Sequence, residues 1–153
     1  MVTPALTFSL VSPLPLLNQW QRMHWRERKR FQKALSWEIG MIIPRGCRKV
    51  PMERCLILVE RFSNPPLPDA DGLGASVKPL LDCLVMPHEK INPHGLGVIR
   101  NDNPRCIGAT FTFPRVRNNG DPGTLVSIFH DTQESVDFLL SKVAAHIDYT
   151  RTL

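Results

Sequence analysis

Apolar and polar residues alternate through ALTFSLV at 5–11, a period of two that predicts a strand, closed by Pro13 and Pro15. After a loop carrying Asn18 and Trp20 the period lengthens. Phe31, Leu35, Ile39 and Ile42 fall at helical spacing and predict a helix over about 25–43, ended by Pro44 and Gly46. MERCLILVER at 52–61 predicts the second strand. SNPPLPDADG follows as a proline-rich loop that delivers two aspartates. A helix over about 76–86 comes next, with Ser76 as its N-cap and Pro79 in the first turn, where an amide has no intrahelical partner anyway. Residues 87–104 predict an irregular loop. Strands over about 105–114 and 123–130 follow, joined by RVRNNGDPG, whose Asn-Gly and Pro-Gly pairs signal a turn. The last element, 131–150, is an amphipathic helix. Asp131 and Glu134 suggest a capping box, and Val136, Leu139, Leu140, Val143 and Ile147 one core-facing side. The order βαβαββα, without repeat or linker, predicts a single α+β domain spanning 1–153, a small mixed sheet flanked by helices.

Composition agrees with that size and adds a charge asymmetry. At 153 residues and 42% apolar composition the chain supports one packed core. The formal net charge is +5, but residues 1–61 hold 11 Lys and Arg against 4 Asp and Glu, whereas 62–153 hold 8 against 10. A basic half beside a mildly acidic one points to a polyanion-binding surface next to a separate group of carboxylates. No apolar run approaches the length of a membrane span, and the proline-interrupted N-terminus lacks a basic n-region, so neither membrane association nor a signal peptide is expected. Cys47, Cys55, Cys83 and Cys106 show no paired spacing, which favours reduced thiols in a cytosol. No Gly-rich phosphate loop is present, so no nucleotide cofactor is expected.

The acidic residues carry the sharper clue. In extended backbone Asp69 and Asp71 share a face, with Cα atoms roughly 7 Å apart. Unit charges about 4 Å apart repel by about 4 kcal/mol at an effective dielectric near 20, so converging such groups calls for a cation, and hard carboxylate oxygens suit Mg²⁺ or Mn²⁺. The same pair would also serve as a solvated turn. An EF-hand loop starting at Asp69 fails, because Leu73 and Leu80 fall where oxygen ligands belong. A small DxD phosphatase is a weak alternative: Leu73 replaces the Thr of DxDGT, and SNPPLP replaces the strand that should enter it. Lys78 and Asp82 stand four apart on one helical face, and Asp102 follows a short apolar run.

Taken in order, Asp69-Ala-Asp71-Gly-Leu, Lys78-Pro-Leu-Leu-Asp82-Cys-Leu and Gly97-Val-Ile-Arg-Asn101-Asp102 resemble the RusA-type Holliday-junction resolvases. That family carries DxDNL, a Lys with Asp-x-Leu on the following helix, and a later Gly-x-[aromatic/Ile]-x-Asp-Asp. The resemblance is densest over 66–107 and extends more loosely to the first strand, the Asn18 loop and the first helix. Gly72 stands where Asn is usual, and Asn101 replaces the first Asp of the pair, removing a charge but keeping an oxygen. Lys78 lies three residues farther from the DxD than in the shorter members, residues 87–94 look inserted, and the C-terminal helix lacks a counterpart in the shortest members. The resemblance implies a Mg²⁺-dependent endodeoxyribonuclease that resolves four-way junctions in DNA recombination and repair. It further implies a homodimer in a bacterial or phage setting, cytoplasmic and nucleoid-associated. Asp69, Asp71 and Asp102 would be the metal carboxylates, and Lys78 the cation on the phosphate. Lys78 would alternatively help orient the attacking water. Asp82 would be an outer ligand or the holder of Lys78, with Asn101 in support. A branched-DNA-binding protein with impaired chemistry is the alternative, which Asn101 and Gly72 favour.

The basic half supplies the candidate grip. Arg22, Arg26, Arg28, Lys29, Arg30 and Lys33 lie within twelve residues, interleaved with His24 and Trp25, and Asn18 and Trp20 stand just before them. Cations neutralise phosphates and aromatic faces stack on unpaired bases, although a solvated helix face over core tryptophans would look the same. Trp37, among apolar neighbours, is expected in the core, and His88 and His94 on an exposed loop.

Overall fold

The computed structural model describes residues 1–117 and 120–151, with the side chain of Ala70 excepted. It is an α+β domain built on a four-stranded mixed sheet. The strands are β1 (Leu6–Leu10), β2 (Cys55–Ser63), β3 (Ile107–Val116) and β4 (Gly123–His130), and the helices α1 (Leu17–Arg22), α2 (Trp25–Ile42), α3 (Ala70–Leu84) and α4 (Gln133–Arg151). The sheet order is β1-β4-β2-β3, antiparallel at β1/β4 and β4/β2 and parallel at β2/β3. The parallel pair needs a long crossover, which α3 and the 85–106 segment provide. Asn118 and Asn119 of the expected turn lie outside the described residues.

The continuous apolar run of β2 has a direct cause: both faces of the central strands are covered. Cys55, Ile57 and Val59 join Val126 and Ile128 of β4 under α2 and α3, while Leu56, Leu58 and Phe129 meet Leu139, Val136, Phe138 and Val143 from α4 on the other face. Edge strand β1 buries Leu6, Phe8 and Leu10 and exposes Thr7 and Ser9, which gives the alternation seen in its sequence.

Several local expectations change. The loop around Asn18 contains the short helix α1, whose first turn is fastened by the Gln19 side chain accepting from the Leu16 amide at 2.9 Å. Helix α3 begins at Ala70 rather than 76, because Asp69 is its N-cap and accepts from the Gly72 amide at 2.8 Å. Ser76 is instead buried and donates back to the Leu73 carbonyl at 2.6 Å. Pro79 therefore lies inside the helix, where it costs one backbone bond. Asp69 and Asp71 occupy a cap and a first turn, not an extended segment. At α4 the cap is Thr132, whose hydroxyl accepts from the Ser135 amide at 3.2 Å, while Asp131 pairs with Arg54. Leu140 and Ile147 are exposed, and Phe138 takes their place against the core. Trp37 is 67% exposed on α2, opposite to its expected burial, because Leu35 and Ile39 take the inward positions.

Candidate active site

Helix α3 organises the site by dividing its residues between two faces. Leu73, Val77, Leu80 and Leu84 recur at helical spacing and are buried against the sheet. Asp71, Lys78 and Asp82 lie at intervals of seven and four on the opposite side, so burying one set presents the other to solvent. Asp69 closes the N-terminus of the same helix.

Asp69 and Asp71 meet α1 there. Leu16, Leu17, Asn18, Gln21, Asp69 and Asp71 line a cleft of about 290 Å³. Asn18 uses its Oδ1 to accept from the Gln19 amide at 2.7 Å. The segment leading into α1 is fixed from below: Leu14 donates its amide to Thr124 Oγ1 at 3.1 Å, and buried Arg61 donates its Nε to the Leu14 carbonyl at 2.8 Å. Gly72 has a packing reason: a Cβ there would come within 2.6 Å of Asp69 Oδ1, so any side chain would displace the capping carboxylate.

Two helical turns along, roughly 10 Å by the rise per residue, Lys78 stands in a second cleft of about 400 Å³. Its ammonium donates to Asp82 Oδ1 at 2.7 Å and also to Asp102 Oδ2. Asp102 comes from the 87–104 loop, and main-chain bonds fix its approach. Leu96, Gly97 and Val98 donate to the carbonyls of Cys83, Val85 and Leu84, Met52 donates to Val98, and Arg100 donates to Met52. Gly97 sits at φ +73°, and a Cβ at Gly95 would lie 2.5 Å from the Val85 carbonyl oxygen, so the path at both positions needs glycine. Asn101 turns its Oδ1 onto the Asp102 amide at 2.7 Å. Asn92 donates to the Asp82 carbonyl, tying the loop to α3, and His88 and His94 are both exposed.

Burial alone would lower the Lys78 pKa, but its bonds to Asp102 and Asp82 outweigh that and hold it above the ordinary lysine value. A raised pKa fixes the sign: the stabilising contribution is complete below the unfolded value and is lost as pH rises through the folded one. Any activity that uses the Lys78 charge should therefore show no Lys78 limb in the neutral range or anywhere below the ordinary lysine value. A neutral-range limb that disappears in Lys78→Arg would contradict this pairing. Burial pushes the Cys83 thiol up to about 12, with Asp82 adding to it, and Cys55 up to about 11, so neither is an activated nucleophile.

The basic stretch divides. Arg28 is spent on structure, donating through Nε and Nη2 to the Trp20 and Gln21 carbonyls at 3.0 Å each, which caps the end of α1. Arg26 and Lys29 stand over the Trp25 ring at 5.2 and 5.1 Å. Arg22, Arg30 and Lys33 are exposed. Helix α2 itself starts with a capping box that the sequence displays as His24-x-x-Glu27: the Arg26 amide donates to His24 Nδ1 at 3.3 Å, and the His24 amide donates to Glu27 at 2.9 Å. The structural duty of Arg28 had no sequence signal, because it depends on α1 ending within reach of the Arg28 side chain.

The candidate metal residues fall in two places. Asp69 and Asp71 share the Asn18 cleft, and Asp102 is engaged with Lys78 in the next. Among the described residues no three His, Cys, Asp or Glu side chains form a metal-holding group. Mg²⁺ is commonly held by one or two carboxylates with waters and substrate phosphates, and the hard oxygens of Asp69 and Asp71 beside the Asn18 amide fit that need.

Compared with protein-family models, with curated proteins and with solved structures, the chain matches none. Among the described residues, no helix is long and apolar enough to cross a membrane.

Proposed function

We propose that this protein is a Mg²⁺-dependent, structure-selective endodeoxyribonuclease that resolves four-way DNA junctions by paired nicks. It would act as a homodimer in recombination and repair, in the cytoplasm of a bacterium or its phage. The observation that supports this most is Lys78, an exposed cation bracketed by Asp82 and Asp102 on the helix whose N-terminus carries Asp69 and Asp71. The acids and the lysine of the RusA-like motif thus lie along one open surface of α3 and its facing loop.

Asp69 and Asp71 would hold the ion with waters and a substrate phosphate, and Asp102 would join them only on release from Lys78, which now holds it in the neighbouring cleft. A bound Mg²⁺ would lower the pKa of a water and offset charge on the phosphate undergoing attack. Lys78 places a fixed positive charge where a phosphate oxygen gains negative charge. Asp82, one turn further on, orients that ammonium. Arg22, Arg26, Lys29, Arg30 and Lys33 engage the phosphate backbone of the arms. Replacing Arg30 and Lys33 together by Ala should weaken junction binding and lower the salt slope by about 2. An unmoved slope would place the DNA elsewhere.

A second reading, a branched-DNA-binding protein with impaired chemistry, draws support from the engagement of Asp69 as a helix cap and of Asp102 with Lys78. Incubation with a synthetic four-way junction and with linear duplex, with and without Mg²⁺, separates the two. Nicks on the junction alone favour the nuclease, and binding without nicks favours the second reading. The phosphatase reading is not carried forward, because β2 ends at Ser63 and no strand enters the DxD.

A further inference from the structure

The insert-like loop that forms one wall of the Lys78 cleft has a second side. Its Met86, Pro87, His88, Ile91 and Asn92 line that cleft, whereas Pro93, His94, Gly95 and Leu96 line a separate groove of about 430 Å³ against α2. The other wall of the groove is Trp37, Met41, Arg45 and Arg48. Trp37 and Met41 are 67% and 77% exposed, an arrangement that costs hydration of a large ring without a core to bury it. Arg48 is drawn against the helix by donation to the Gly40 carbonyl, and a Cβ at residue 40 would lie 3.0 Å from its Nη2. Its Nε is buried and has no hydrogen-bond partner among the described residues. No residue lining the groove is acidic. Nearby Glu38 is used elsewhere, accepting from the Val11 amide at 2.8 Å.

The groove also continues the basic surface. Arg26, Arg30, Lys33, Trp37 and Met41 follow at intervals of four, three, four and four, one stripe along α2. A track of cations thus runs to an exposed indole that has two more arginines beyond it. An aromatic face between cations, with no acid in the groove lining, suits a base on the ring and a phosphate on the guanidinium groups. A purely apolar partner would leave Arg45 and Arg48 to be desolvated without a counter-charge.

We propose that this groove is a docking site for an unpaired nucleotide of a DNA strand, stacked on Trp37 with its phosphate on Arg45 and Arg48. The proposal rests on the reading of the chain as a branched-DNA protein and assigns the groove to the base displaced beside the branch. The 87–96 loop is then a partition, with the cutting cleft on one side and the displaced base on the other. His94 is held at that partition by its carbonyl, which accepts from Ser36 Oγ.

The test uses the full chain without Mg²⁺, so it is independent of nicking. The probe is a forked duplex with 2-aminopurine in its unpaired strand, compared with a fully paired duplex of equal length. Wild-type protein should quench the 2-aminopurine, and Trp37→Phe should retain a quench. Trp37→Ala should lose it and bind the fork about tenfold more weakly, the scale of one lost base stack, with duplex affinity unchanged. Since Trp37 is solvent-exposed, its circular dichroism and Tm should match the wild type. An undiminished quench in Trp37→Ala would overturn the proposal. So would a change from dimer to monomer on sedimentation, which would make the face an interface between copies. If nicking is absent but the quench behaves as stated, the nuclease reading fails and the groove stands.

Discussion

Replacing Asp71 by Asn is expected to abolish junction nicking while leaving folding and junction binding in place. Asp71 is exposed in the first turn of α3 and makes no packing contact with the core. Its structural contribution is the favourable placement of a negative charge at a helix N-terminus, about 0.3–1 kcal/mol. A loss of that size lowers Tm by only about 1–4 °C in a domain of this length. The chemical loss is different in scale. Asn keeps one oxygen but removes the charge that attracts a divalent ion, and losing one such stabilising group costs at least about a hundredfold in rate. Nicking should therefore fall by two orders of magnitude or more with Tm almost unmoved. Cutting at wild-type rate would sink the assignment of Asp71 as a metal ligand.

Leu80→Ala, on the inner side of the same helix, should behave in the opposite way. Leu80 has no exposed surface and packs in the cluster that joins α3 to α2 and the sheet. Truncating it forfeits burial and leaves a cavity, at a cost of about 2–5 kcal/mol. Against a total stability of roughly 5–15 kcal/mol, that is a large fraction. The expected drop in Tm is about 4–20 °C, from a shift of about 2–4 °C per kcal/mol at this size. Activity measured well below the new Tm should stay near wild type, because Leu80 lies on the buried face of α3 while Asp71 and Lys78 lie on its exposed one. A melting temperature within 2 °C of wild type would mean that α3 is not anchored through its inner face. One helix thus separates stability from chemistry by face alone.

That division was readable from the chain, whereas the helix boundaries were not. Leu80, Leu81 and Leu84 beside Lys78 and Asp82 announce an amphipathic helix, and the apolar run of β2 announces a strand covered on both sides. The start of α3 was obscured by a competition between two caps. Ser76 has the right residue type, but Asp69 wins because it reaches the Gly72 amide and because Leu73 then becomes a buried anchor. Helix α1 has no signature in the sequence, because six residues are too few to carry a helical period. Its stability comes from Arg28 and from packing on α3, which are tertiary effects. The exposure of Trp37 was equally hidden: its apolar neighbours predicted burial, but only the phase of α2 against the sheet decides which of them turns inward. The pairing of Lys78 with Asp82 was legible from their spacing of four. Its second partner, Asp102, depended on the path of a loop that local patterns do not specify.

The central claim is that this surface of α3 cuts branched DNA. The most direct test is to map nicks on a synthetic four-way junction with each of the four strands end-labelled in turn, in Mg²⁺ and in chelator, beside a linear duplex of the same sequence. The account predicts nicks at symmetric positions in two opposing strands, present in Mg²⁺, absent in chelator, and absent from the duplex. Equal cutting of the duplex, or no cutting of a junction that folded protein demonstrably binds in Mg²⁺, would contradict it.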